Sequence, residues 1–466
     1  MLSACAVGPD YQRPAQDTGA AYAHAPQGQW LPAQPGDAGL AADWWTRFGD
    51  EGLDGLMAQM PAGNLDIAQA EAQYRQARAA LGSARAGLFP SLSAAASTTR
   101  AGQGISSANN PATNYSLSGS VSWEVDLWGR VRRSVEAARA GEQAGAADLA
   151  AMRLSLQSTL AQTYFSVRAS QRQDELLART LSEYERALRM TRNRYEAGVA
   201  SSADVAAASA QLDQARVQRI RLGWQREQQV HALSILLGQV PAGFSMPTGA
   251  GLPDAPPLPV GVPSALLQQR PDVAAAERRA AQANARIGVA QAAWFPDLTL
   301  DAQGGYRAGE FASWIMAPAR FWTLGPSLAL SLFDGGARSA ALDAARAAYD
   351  AQAAQYRKTV LDALREVEDA LVQSQALVQE QNAQDRALAS ARETLRQVMN
   401  QYQAGLVDYL SVVQAQASAL SAEQNALDLR LQRLTATVQL AAALGGGYLE
   451  PASDAVSGGQ AAVAAD

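Results

Sequence analysis

The chain repeats itself. Asn64-Leu65-Asp66-Ile67-Ala68 returns as Arg270-Pro271-Asp272-Val273-Ala274, displaced by 206 residues. The same displacement pairs Glu71 with Glu277, Gly82 with Gly288, Phe89-Pro90 with Phe295-Pro296 and Gly129 with Gly335. Farther on, Tyr195-Glu196-Ala197-Gly198 matches Tyr402-Gln403-Ala404-Gly405 at a displacement of 207, which holds to Leu237-Gly238 against Leu444-Gly445. Two alanine-rich helices would align by composition, but composition does not produce shared Phe-Pro and Tyr-x-Ala-Gly pairs. The fold must therefore be built from two copies of one unit.

Each half reads in the same order. A helix comes first, over 64–87 and 271–293, and ends at Phe-Pro because proline disfavours helix in the residue before it. Two strand-like segments follow, then a very long helix near 130–197 and 337–404. A glycine turn leads to a second helix over 202–237 and 408–444. The expected divisions are an N-terminal segment 1–63, a first repeat 64–238, a Pro/Gly-rich linker 239–263, a second repeat 264–448 and a tail 449–466.

The strands have two chemically different faces. Tyr115, Leu117, Gly119, Val121, Trp123 and Val125 alternate with Ser116, Ser118, Ser120, Ser122, Glu124 and Asp126. Leu298, Leu300, Ala302, Gly304 and Tyr306 alternate with Thr299, Asp301, Gln303 and Arg307, with an interruption expected at Gly305. Leu324, Leu328, Leu330 and Leu332 share a face opposite Ser327, Ala329 and Ser331; the segment 91–99 is mostly serine and alanine. A half-buried sheet in water gives the same alternation. The lengths also suit the roughly 9–11 residues a tilted strand needs to cross a bilayer. No apolar run is long enough for a membrane-spanning helix, so a membrane reading requires strands that close. Four strands cannot close alone; three chains would make a twelve-stranded barrel. Phe311, Trp314, Phe321 and Trp322 flank the second strand pair, either as an interfacial aromatic belt or as loop residues packed on a neighbour.

A helix over 130–197 would be about 100 Å long at roughly 1.5 Å per residue, and must pack along other helices. Leu177, Leu181, Tyr184, Leu188, Thr191 and Tyr195 form a heptad seam, repeated by Leu388, Ala391, Leu395, Val398 and Tyr402. A plain antiparallel coiled coil explains that seam. It does not explain strand pairs interrupting each half at the same place.

Composition excludes other classes. The net charge of −6 lacks the basic face nucleic acid demands. Cys5 is the only cysteine, and His24 and His231 lie far apart, so neither a disulfide nor a metal-ligand spacing is expected. Phosphate-loop and hydrolase motifs are absent, and no catalytic residue is assigned. Glu366, Glu368 and Asp369 read as a solvated helix face rather than a paired-carboxylate site. At the start, Leu2-Ser3-Ala4-Cys5 reads equally as the end of a lipoprotein signal peptide or as an unremarkable cysteine. The first reading expects a trimmed chain or a start upstream of Met1, because a basic and an apolar region must precede the site.

Gly8-Pro9-Asp10-Tyr11-Gln12-Arg13-Pro14 after that cysteine resembles the start of the outer-membrane efflux lipoproteins, the TolC-like outer membrane factor family. The resemblance continues at Trp44-Trp45-x-x-Phe48-x-Asp50, Asp126-Leu127-Trp128-Gly129-Arg130, Arg270-Pro271-Asp272-Val273-x-x-Ala276-Glu277, Phe333-Asp334-Gly335-Gly336 and Leu444-Gly445-Gly446-Gly447-Tyr448. It implies a mainly α, internally duplicated chain forming a homotrimer. The trimer would combine a helical periplasmic tunnel with a twelve-stranded transmembrane β-barrel, four strands from each subunit. The implied function is the outer-membrane channel of a tripartite efflux pump that passively exports small molecules. Its partners would be a periplasmic adaptor protein, an inner-membrane pump of the resistance–nodulation–division type and outer-membrane lipid. The exit duct of a type I protein secretion system is the runner-up, and a pore-less periplasmic coiled-coil scaffold the alternative from another class. Lipidation of Cys5 becomes the favoured reading, and Ala6 after it fits export to the outer membrane. The family's adaptor-contacting tips map to Tyr195, Gly198, Tyr402 and Gly405. Leu410 sits where an apolar gate residue is expected; Gln414 and Ala417 stand where many relatives carry an aspartate and an arginine. The family's charged gate is therefore not expected here; Asp408 and Asp204 are the nearby carboxylates that would line a closed tip, beside a constriction expected to be mainly apolar at Leu410 and Gln414.

Overall fold

The structure is a computed structural model that describes residues 6–17, 19, 22–24, 43–102, 112–247, 251–257 and 270–447. Cys5, the linker residues 248–250 and 258–263, and the tail 449–466 lie outside the described residues.

After a 3-10 turn at Trp44–Phe48 come α1 (Glu51–Gly63), α2 (Leu65–Ala86), β1 (Ser91–Ala101), β2 (Ala112–Glu124), α3 (Arg130–Glu196) and α4 (Ser202–Leu236). The second half supplies α5 (Pro271–Ala292), β3 (Asp297–Ala308), β4 (Arg320–Ala329), α6 (Ala337–Gln403) and α7 (Tyr409–Ala443). The duplication is metrical: α2 and α5 each have 22 residues, α3 and α6 each 67, α4 and α7 each 35. No described helix is long and apolar enough to cross a membrane.

Two compact units emerge. The first comprises Met1–Gln16, Ala72–Ala146 and Ala275–Thr359. Its described residues hold an antiparallel four-stranded sheet in the order β1-β2-β3-β4. The register puts Leu92, Val121, Ala302 and Leu324 on one face and Ser93, Ser120, Gln303 and Thr323 on the other. Serine side chains ladder across the polar face, Ser93 to Ser120 and Ser97 to Ser116, each at 2.8 Å. β3 runs unbroken through Gly305, contrary to expectation, because a Cβ there would stand 2.0 Å from the Leu117 carbonyl oxygen and glycine permits the approach. β4 starts earlier and ends sooner than expected: it contains Phe321 and Trp322, while Leu330 and Leu332 fall beyond it. One end of the sheet joins helices through Ser91, Glu124, Asp297 and Ala329, and the other end joins loops. At the helical end Asp126 accepts hydrogen bonds from the backbone amides of Val131 and Arg132, and Asp334 from those of Gly336 and Arg338. These carboxylates satisfy first-turn donors that the helix cannot.

The Gly-Pro-Asp-Tyr-x-Arg run is pinned to this unit. Arg133, its side chain 5% exposed, donates to the carbonyls of Val7 and Gly8 and pairs with Asp10 at 2.8 Å and Glu136 at 2.7 Å. Arg13 meets the buried Glu277 at 3.0 Å, where Tyr11 also donates. A buried guanidinium and a buried carboxylate each require such partners.

The second unit comprises Asp17–Glu71, Ala147–Ala274 and Val360–Asp466. Trp44 is fully buried, Phe48 packs 4.9 Å from Phe165, and Tyr164 donates to Asp50 at 2.6 Å. Asp50 also caps α1, accepting from the amides of Gly52 and Leu53. The Arg-Pro-Asp signature has a structural cause here: Arg270 is buried and donates to Asp272, Glu366 and the Ala443 carbonyl. Glu366 is therefore an ion-pair partner, and Glu368 holds the Ala23 amide and the His24 ring, rather than both forming a merely solvated face.

Candidate functional site

The two helical hairpin tips are built alike, by different residues. At the α3–α4 turn the Val199 amide reaches the Arg194 carbonyl at 2.8 Å and the Gly198 amide the Tyr195 carbonyl at 2.9 Å. At the α6–α7 turn Leu406 reaches Gln401 at 2.9 Å and Gly405 reaches Tyr402 at 3.1 Å. This is the Schellman pattern, which needs a left-handed residue, and Gly198 and Gly405 supply φ values of 71° and 76°. The next helix is then capped. Ser201 and Asp204 form a reciprocal capping box on α4, and Asp408 accepts from the Ser411 amide at 3.0 Å and its hydroxyl at 2.7 Å. The expected gate carboxylates Asp204 and Asp408 thus both hold helix ends. The Ser411 hydroxyl, then its amide, lowers the Asp408 carboxyl below its ordinary range.

Behind the turns lies a small core of Tyr184, Leu188, Leu212, Tyr402, Tyr409 and Val412. Arg194 stands 4.5 Å above the Tyr402 ring and donates to the Tyr402 carbonyl at 3.1 Å, joining one hairpin to the other. Burial, with Tyr402 and Tyr184 next in effect, pushes the Tyr409 phenol up to about 12.

The structure separates the two tip tyrosines. Tyr195 is 50% exposed, whereas Tyr402 is 4% exposed and packs edge-on against Tyr409. Tyr402 is therefore a core residue within this chain, not a surface contact, because its half of the tip carries the extra ring of Tyr409 to cover it. Sequence reasoning passed over Val199 and Leu406, which crown the two turns at 66% and 75% exposure. Their signal was present: they are equivalent across the 207-residue displacement and sit directly after the turn glycines. Leu410, 53% exposed, and Gln414 and Ala417, also exposed, lie in line along one face of α7.

Comparison with known proteins decides the class. The family described as outer membrane efflux protein matches residues 56–239 and 262–446. The chain belongs to the outer membrane efflux protein family. Among its relatives, outer membrane protein OprJ of Pseudomonas aeruginosa is 34% identical over 96% of this chain and 94% of its own length. The toluene efflux pump outer membrane protein TtgC of Pseudomonas putida is 31% identical over 98% and 95%. The solved outer-membrane channel OprN superposes with a TM-score of 0.87 at 31% identity, covering 96% of this chain and all of that one. This efflux protein is accordingly an outer-membrane channel component of an efflux pump. Its family explains why the sheet and the long helices occur in one chain: one part faces lipid and the other encloses a path.

Proposed function

We propose that three copies of this efflux protein close their sheets into one twelve-stranded barrel, continued by a helical tunnel whose tips meet a periplasmic adaptor and an inner-membrane pump. Small molecules pass through it passively: the inner-membrane pump supplies the energy and the channel spends none. The observation that carries this reading is the sheet itself: among the described residues, β1 and β4 each have one paired edge and one open edge. An open edge leaves backbone donors and acceptors unsatisfied, which hydrocarbon does not tolerate, and neighbouring copies are the natural partners. Strands of 10 to 13 residues suffice to cross. Cross-linking β1 of one copy to β4 of the next through paired cysteines, placed at Ala94 and Leu324, is the test. A covalent trimer supports closure, and a covalent dimer or an unlinked chain refutes it.

Two finer assignments belong to the same reading. Cys5 carries a covalent lipid. The support is positional: the Val7 amide donates to the Trp128 carbonyl at 2.9 Å, so the chain enters at the helical rim of the sheet, where an acyl chain would reach the inner leaflet. The constriction is mainly apolar and centred on Leu410, with Gln414 a turn behind. Leu410→Gly should raise closed-state conductance in single-channel recordings; unchanged leakage removes Leu410 from the gate. The exposed Val199 and Leu406 crowns provide the apolar contacts that an adaptor would cover.

A further inference from the structure

The apolar face of the sheet carries the even-numbered residues from Leu92 to Arg100 on β1 and the odd-numbered residues from Thr113 to Trp123 on β2. On β3 and β4 it carries the even-numbered residues from Leu298 to Ala308 and from Arg320 to Leu328. The charged residues among these are Arg100 and Arg320, and no carboxylate shares the face with them. Both stand toward the loop end of the sheet, are exposed, and have no hydrogen-bond or ion-pair partner among the described residues. Aromatic rings accompany them: Tyr306 lies opposite Arg320, and Trp322, 80% exposed, is two residues along the same strand.

An arginine facing hydrocarbon is costly at depth and tolerable at the headgroup level, where tryptophan and tyrosine also prefer to sit. Even there an uncompensated guanidinium demands an anionic acceptor, and its planar fork fits a phosphate. We infer that Arg100 and Arg320, on the edge strands β1 and β4, each bind a phosphate of an outer-leaflet lipid, with the acyl chains running down the apolar strand face beneath. This rests on the barrel reading. The loop end of the sheet is the outer end because the opposite end continues into the helices. The occupant is a lipid rather than free phosphate because the column below each arginine is exposed and largely apolar: Trp322, Leu324 and Leu328 under Arg320, and, past Thr98, Ala96, Ala94 and Leu92 under Arg100.

Native mass spectrometry of the full-length protein in detergent tests this, with bisphosphorylated lipid A as probe and zwitterionic phosphatidylcholine as comparison. The wild type should retain lipid A in preference to phosphatidylcholine. A double variant Arg100→Gln/Arg320→Gln should retain it about tenfold less well. Arg307→Gln, on the polar face, should leave retention unchanged. Equal retention by wild type and double variant, or equal affinity for both lipids, would overturn the site. Displacement of lipid A by millimolar inorganic phosphate would overturn the choice of a lipid. If the wild type is a monomer, the barrel reading fails and takes this inference with it. If it is a trimer indifferent to lipid A, the inference alone fails.

Discussion

At the scale of single residues, the tip core contains a testable asymmetry. The Tyr402 hydroxyl is buried with no hydrogen-bond partner among the described residues, whereas its ring is packed against Tyr409 and under Arg194. A buried unsatisfied hydroxyl opposes folding, so Tyr402→Phe should leave the tip as stable or more so. Tyr402→Ala, which opens a cavity, should cost about 3–5 kcal/mol. Hydrogen-exchange protection of the amides around Tyr184 and Val412 distinguishes these outcomes. Asp408 gives a pH dependence of known sign. Its carboxyl is lowered in the folded chain, so its contribution is complete above the ordinary carboxylate range near about 4 and fades as acid titrates it. Protection factors at the start of α7 should therefore fall at acid pH in the wild type. Asp408→Asn, which keeps the capping acceptor, should flatten that dependence.

At the scale of elements, α4 exposes Val217, Ile220, Trp224 and Ile235 at 51–71% on one helical stripe. The α6 seam residues Leu388, Ala391, Leu395 and Val398 stay only partly covered in the single chain. Helices whose apolar stripes are left open by their own chain call for a neighbouring copy. Trp224→Glu should shift the detergent-solubilised protein from trimer toward monomer, as read by light scattering, while single-chain helicity stays the same. Elements with strong periodicity were legible in the sequence. Helix expected over 130–197 runs Arg130–Glu196, and helix expected over 337–404 runs Ala337–Gln403. α1 was not legible within the N-terminal segment 1–63, because Gly52, Gly55, Pro61 and Gly63 all disfavour helix. It forms nonetheless, since Asp50 caps its first turn and Leu53, Leu56, Met57 and Met60 bury one face, a tertiary gain that outweighs weak propensity. At the tips, the turn glycines were readable from the duplication. The burial of Tyr402 was not, because it depends on rings and a guanidinium brought in from separate helices.

At the scale of the whole molecule, lipid attachment and assembly are separable. Cys5→Ser should abolish incorporation of radiolabelled palmitate yet leave trimers that still require detergent, since the barrel embeds them independently. Loss of detergent dependence in that variant would mean the strands do not cross lipid. The matched lengths of the paired helices carry a last consequence. A cask holds only if its staves are cut alike, and here 67 answers 67 and 35 answers 35. A one-turn deletion in α3 should therefore be tolerated only when the same turn is removed from α4, α6 and α7, so length in this lineage can change only by coordinated edits to both halves.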